Sequence, residues 1–336
     1  MTTTFNCTNR VHACLLKRLL TAFALCLGAS GAAAQAYPSK PVSLIVPFAA
    51  GGPVDTIARI VASPMSKTLG QTVLVENVTG AAGTVAVGRV AKAPPDGYTL
   101  SIGHWSTHVI NGAIYPLQYD LLNDLEPLAM IASNPLLIVA HPSFPPKDLQ
   151  ELVAWLKANP DKASAGTAGT GSASHIGGIY LQSATGTKFQ YIPYRGTGPA
   201  MQDLVGGRIE LMFDQASNSI PQLRNGRIKA YAVTARSRLA SAPDVPTVDE
   251  AGLPGLYLSI WYGIWAPKGT SSEVAGKLNA AIVASLAEAD TRKRLADLGQ
   301  EIPPREQQTP QALAAHHKAE IEKWWPLVKA AGIKPE

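Results

Sequence analysis

Val42-Ser43-Leu44-Ile45-Val46-Pro47-Phe48-Ala49-Ala50-Gly51-Gly52-Pro53-Val54-Asp55 is the stretch that decides the fold. Five residues of strand character run into a Pro/Gly-rich turn, and from Val54 to Leu69 apolar residues recur at helical spacing. Thr72 to Val75 is again strand-like and Gly83 to Ala93 again helical. This βαβα alternation predicts an α/β fold with a mostly parallel sheet and helices on its faces. It continues through a strand at Tyr98 to Ile102, a helix near Ser106 to Ile114, and two apolar runs, Leu128 to Ser133 and Leu136 to Ala140.

A second cycle opens with a helix from Lys147 to Ala158, stopped by Asn159-Pro160, and a Gly/Ser/Thr-rich loop over 164–174. A strand at Phe189 to Ile192, a helix from Pro199 to Val205 and strands at Ile209 to Phe213 and Ile228 to Val233 follow. The Pro-rich run from Ala242 to Pro254 reads as a surface connection, Leu256 to Ala266 as a strand, and the remainder as helices. Two cycles with a late return predict a two-lobed protein. Residues 37–138 and 260–336 form one lobe, 139–259 the other, and a ligand would sit in the cleft between them.

The first 36 residues are unlike this body. All three cysteines (Cys7, Cys14, Cys26) fall there, with Arg10, Lys17 and Arg18 and no acidic residue. A basic start, the apolar run Leu19 to Leu27 and the small-residue end Ala34-Gln35-Ala36 predict a secretory signal peptide cleaved after Ala36, and hence a periplasmic protein. Removing it lowers the formal charge from +5 to +2 and leaves no cysteine for a disulfide or a thiol nucleophile. No basic stripe remains for nucleic acid, and no apolar segment of membrane-spanning length.

Three loops could hold chemistry, each a strand-to-helix turn in which glycines let the backbone approach a ligand. In the first, Phe48, Ala49, Gly52, Val54 and Asp55 lie where free N–H groups and the helix dipole favour an anion. Asp55 also stands four residues before Arg59, so an ordinary helical ion pair competes for it. The second carries Thr167, Gly171, Ser172, Ser174 and His175. Either serine can cap the following helix, and the pattern is neither a dinucleotide fingerprint nor a hydrolase elbow. The third carries Tyr194, Arg195 and Gly196; Arg195 can grip a carboxylate or remain a surface charge. Asp214 ends a strand as a hinge group or helix cap, and Trp105 with Ser106 could wall the cleft. His104 and His108 lack the glutamate of a zinc motif, so neither a metal nor any other cofactor is expected.

Pro47 to Gly52 with Asp55, Pro95-Asp96-Gly97-Tyr98-Thr99-Leu100, Gly169-Thr170-Gly171-Ser172 with His175, Tyr194-Arg195-Gly196, Asp203 to Gly207, Met212-Phe213-Asp214 and Ala266 to Thr270 occur in one order along the chain. In that order they resemble the Bug family of tripartite tricarboxylate transporter substrate-binding proteins. The resemblance implies a type II, two-lobed periplasmic binding protein and not an enzyme. It would be a monomer that delivers a small mono-, di- or tricarboxylate to membrane permease subunits. It also implies that loops 48–55, 167–175 and 194–198 hold the carboxylate, largely through backbone amides and bridging waters. Two positions depart from the family pattern: Arg195 stands where Lys is common, and Val54 where many relatives have a small or polar residue. Val54 and Trp105 would make the pocket more apolar, favouring a ligand with an apolar or aromatic body. A sensor-kinase partner, or an enzyme on the same scaffold, is the alternative.

Overall fold

The computed structural model describes residues 37–330 and 332–334; the expected leader lies outside them. Among the described residues the body is mixed α/β, built on one nine-stranded sheet. The opening stretch forms β1 (Val42–Val46) and α1 (Pro53–Leu69), followed by β2 (Val73–Asn77), α2 (Thr84–Ala91) and β3 (Thr99–His104). β1 lies between β2 and β3, parallel to both, as the alternation requires. β3 then pairs antiparallel with β9 (Ser259–Pro267). Pro53 at the start of α1 and left-handed Gly70 after its end fix its length.

The two apolar runs near residue 130 form a single strand, β4 (Leu125–Ala140). Asn134-Pro135 does not break it, because the strand changes neighbours there. Leu125 to Pro135 pair with β9, and from Leu136 onward the partners are β7 (Leu211–Gln215) and β8 (Lys229–Val233). A proline, which cannot donate to a ladder, is tolerated at such a handover. The hydroxyl of buried Thr234 sits at this point. It accepts from the Leu136 amide at 3.0 Å and lies 2.8 Å from the Leu258 carbonyl and 3.1 Å from that of Leu136, the two places where the chain crosses between halves of the sheet.

The second half repeats the parallel pattern, with β5 (Ser164–Thr167) between β6 (Gln190–Pro193) and β7. Its helices are α4 (Leu149–Ala158), α5 (Ala173–Thr185), α6 (Thr197–Val205) and α7 (Ala216–Arg224), which follow the short α3 (Asn111–Ile114) of the first half. Its core gathers Leu137, Val139, Leu204, Met212 and Ile220. α8 (Ser272–Ala287), α9 (Ala289–Asp297) and α10 (Pro310–Ala330) return to the first half. The Ser285 hydroxyl of α8 donates to Val61 of α1, and the Trp325 indole of α10 to Val109. Among the described residues no helix is long and apolar enough to cross a membrane.

Candidate functional site

The glycine loops meet at the strand ends. The Ala49 amide donates to the Arg195 carbonyl at 3.0 Å, and the Tyr115 hydroxyl donates to Thr170 at 2.7 Å. Gly196 is at φ +145°, and a Cβ there would lie 3.2 Å from the Ala49 nitrogen; one on Gly198 would lie 3.0 Å from the Gly52 nitrogen. Only glycine allows the first and third loops to approach this closely.

Between the loops lies a small cavity lined by Phe48, Pro53, Val54, His104, Ala168, Ser172, Ala173, Ser174, Thr197 and Gln215. Its open volume is about 10 Å³, room for about one water. Four helices begin on it. Pro53 opens α1, Ser172 caps α5, Thr197 opens α6 and Gln215 precedes α7. Their first-turn N–H groups and dipoles bring partial positive charge to one spot without any Lys or Arg in the lining.

The polar lining is neutral. Ser172 Oγ accepts from the His175 amide and lies 3.0 Å from Ser174 Oγ, which accepts from the Ala168 amide. The buried Gln215 Oε1 has no partner. Burial drives His104 down to about 3, so its ring is uncharged. The Ser106 amide donates to Nδ1 at 3.1 Å, which assigns the ring proton to Nε2 and makes that atom a donor. The ring stacks on Phe48 at 5.3 Å. The site can therefore offer neutral hydrogen bonds to an anionic oxygen group and apolar contact from Phe48, Val54 and Ala168.

Phe48 and Ala168 also wall a second cavity of about 220 Å³, with Tyr194, Arg195, Tyr115 and the turn Gly80-Ala81-Ala82-Gly83. Arg195 is exposed there, and Tyr194 donates its hydroxyl to Asp203 at 2.8 Å. Burial and that carboxylate push the Tyr194 hydroxyl up to about 12. Ala81 and Ala82 sit at φ +42° and +49°, a strained conformation of the kind that gathers at functional sites.

The remaining expected residues support the loops from behind. Thr167 Oγ1 accepts from the Gly169 amide, and His175 Nδ1 accepts from the Gly171 amide. Gly171 packs against Ile114 and Asn111. Asp55 is away from both cavities, taking hydrogen bonds from Gly51, Arg59 and Asn77. Burial raises its carboxyl, but Arg59, Gly51 and Asn77 outweigh that and hold it below the ordinary value. It is the partner of Arg59 and a brace for the loop. Asp214 lies buried behind Gln215, accepting from Asn218 and Ser219, and burial pushes it up to about 6. Ser106 orients His104.

Trp105 is corrected: it does not wall the cavity. β3 extends to His104, so Trp105 starts the helical turn Ser106–Ile110 and packs edge-on against Trp324 at 4.8 Å. Pro53, Ala168 and Thr197, which line the cavity, lie within the three expected loops without having been singled out, whereas His104 and Gln215 line it from outside them. A helix-start reading of Thr197 and Gln215 would have found two of them.

A family model described as the tripartite tricarboxylate transporter family receptor matches residues 57–333. An Agrobacterium vitis protein encoded in the TAR-I ttuE-ttuC' intergenic region is 45% identical over 301 residues, covering 89% of this chain and 87% of its own. MatC from Rhodopseudomonas palustris, solved with bound malate, is 43% identical with TM-score 0.84, covering 87% of this chain and all of its own. The periplasmic binding protein BugD is 42% identical with TM-score 0.86, covering 89% and 100%.

Proposed function

Because the chain belongs to the tripartite tricarboxylate transporter receptor family, whose members are periplasmic solute-binding proteins, we propose that it captures a small carboxylate at the four-helix cavity for uptake by a transporter of that type. The observation that carries this reading is the convergence of four helix N-termini on a lining with no cation and no acid. Such a site favours an anionic oxygen group and suits the malate that MatC holds. The apolar share of the lining favours a ligand with a hydrocarbon body over a densely hydroxylated one.

In this reading the halves of the sheet are lobes, 37–138 with 260–336 and 139–259. The partner change in β4 at Pro135/Leu136 lies close to the first boundary. Export through a leader cleaved after Ala36 and handover to permease subunits complete the role; binding leaves the ligand chemically unchanged.

A thermal-shift screen with malate, succinate, benzoate, glucose and succinamide tests it. Malate or another carboxylate at about 100 times its dissociation constant stabilises by about 2.7 kcal/mol, and is recovered unaltered. A shift with the sugar or the amide alone, or turnover of the acid, overturns the reading.

A further inference from the structure

A groove of about 1080 Å³, several times larger than either loop cavity, lies beside the strand handover and shares no lining residue with them. One wall comes from Thr234 to Ser241 and Tyr257 to Trp261, the other from Ala296 to Glu301 and from α10.

Its chemistry is distinctive in three respects. Tyr257 and Trp324 present partly exposed rings, with Trp261 behind them. Arg236 is exposed, lies 4.4 Å over the Tyr257 ring and forms no ion pair among the described residues, whereas Arg238 is tied to Glu250. Glu320 already accepts the indole N–H groups of Trp261 and Trp324, at 3.3 and 3.1 Å. Lys323 is ion-paired with Glu320, so Arg236 is the cation left for a ligand, with the exposed Glu301 carboxylate in the same lining. Beneath these groups, Gln300 is 4% exposed, and neither its Oε1 nor its Nε2 has a hydrogen-bond partner; Ser241 Oγ and His316 Nε2, in the same lining, are likewise unpartnered. Buried polar atoms in native proteins are almost always paired, so several orphans in one groove mark a place that a polar ligand completes.

We infer that this groove is a second binding site, for a planar aromatic carboxylate: the ring stacks against Tyr257 and Trp324, Arg236 takes the carboxylate, and Gln300 meets the polar edge. Arg guanidinium already poised on an aromatic face suits such a ligand. The site is independent of the carboxylate cavity between the glycine loops.

The test uses 2-naphthoate as probe and tryptophan fluorescence as readout, with calorimetry for malate. Saturable quenching is expected in the wild type, with saturating malate present, and in Gly196→Val, which disables the loop cavity. In Arg236→Gln with Gln300→Leu, naphthoate binding weakens by about tenfold or more while malate binding stays within about twofold. Arg236→Gln alone, at an exposed position, is the control should the double variant fold poorly, and is expected to lose most of the naphthoate affinity. The proposal is overturned if naphthoate fails to saturate the wild type, if malate displaces it and Gly196→Val abolishes it, or if the groove variants bind it normally. Loss of malate binding alone would count against the loop cavity and leave the groove standing.

Discussion

Gly196 stands where the first and third loops meet. Its φ of +145° and the 3.2 Å that a Cβ would leave to the Ala49 nitrogen mean that a side chain there disrupts both the turn and the Ala49–Arg195 hydrogen bond. Gly196→Val, alone or with Ser172→Ala, is expected to weaken malate binding by at least about tenfold, equivalent to roughly 1.4 kcal/mol. Calorimetric affinity unchanged in the double variant would remove these loops from the site. Arg195 lines the outer cavity with its side chain and makes the loop contact with its carbonyl. The glycine pattern was readable from the chain itself, since each loop announces a strand ending and a helix beginning. His104 was not: a strand read as ending at Ile102 leaves His104 in a loop, whereas two further residues of pairing with β9 set its ring beside Phe48. That register depends on a strand about 160 residues away, which local pattern does not contain.

At the scale of elements, the alternation of strands and helices was legible almost throughout, because each α/β unit is a local pattern. The continuity of β4 was not, because its two halves are held by different neighbours and only the assembled sheet makes them one strand. Thr234 ties that strand to the return crossing. Thr234→Val leaves the Leu136 amide with only the 3.4 Å contact to the Leu258 carbonyl. A loss of about 1–3 kcal/mol in urea unfolding is expected, with faster amide exchange at Leu136 and Leu258 than at β1. Thr234→Ser is expected to restore most of both. Equal stability of Thr234→Val and the wild type would show that the hydroxyl is incidental.

The whole molecule should respond to acid through groups that pull in opposite directions. Burial holds His104 to about 3 and His317 to about 4. These histidines stabilise fully above about pH 6.5, and that stability is lost as pH falls toward about 4. Burial raises Asp214 to about 6, so its ionisation costs about 3 kcal/mol above that pH, and the cost is relieved between about 6 and 4. Net stability falls on acidification because more than one histidine opposes a single aspartate. Asp214→Asn is expected to melt higher than the wild type at pH 7.5, with the gap closing by pH 4; a gap independent of pH would refute the assignment. The tightness of the loop cavity has a kinetic meaning as well. A space for about one water cannot admit malate, so under the proposed function entry and exit both wait for the loops to part. Release is then gated by the protein's own opening, and ligands that differ widely in affinity would share one ceiling on how fast they leave.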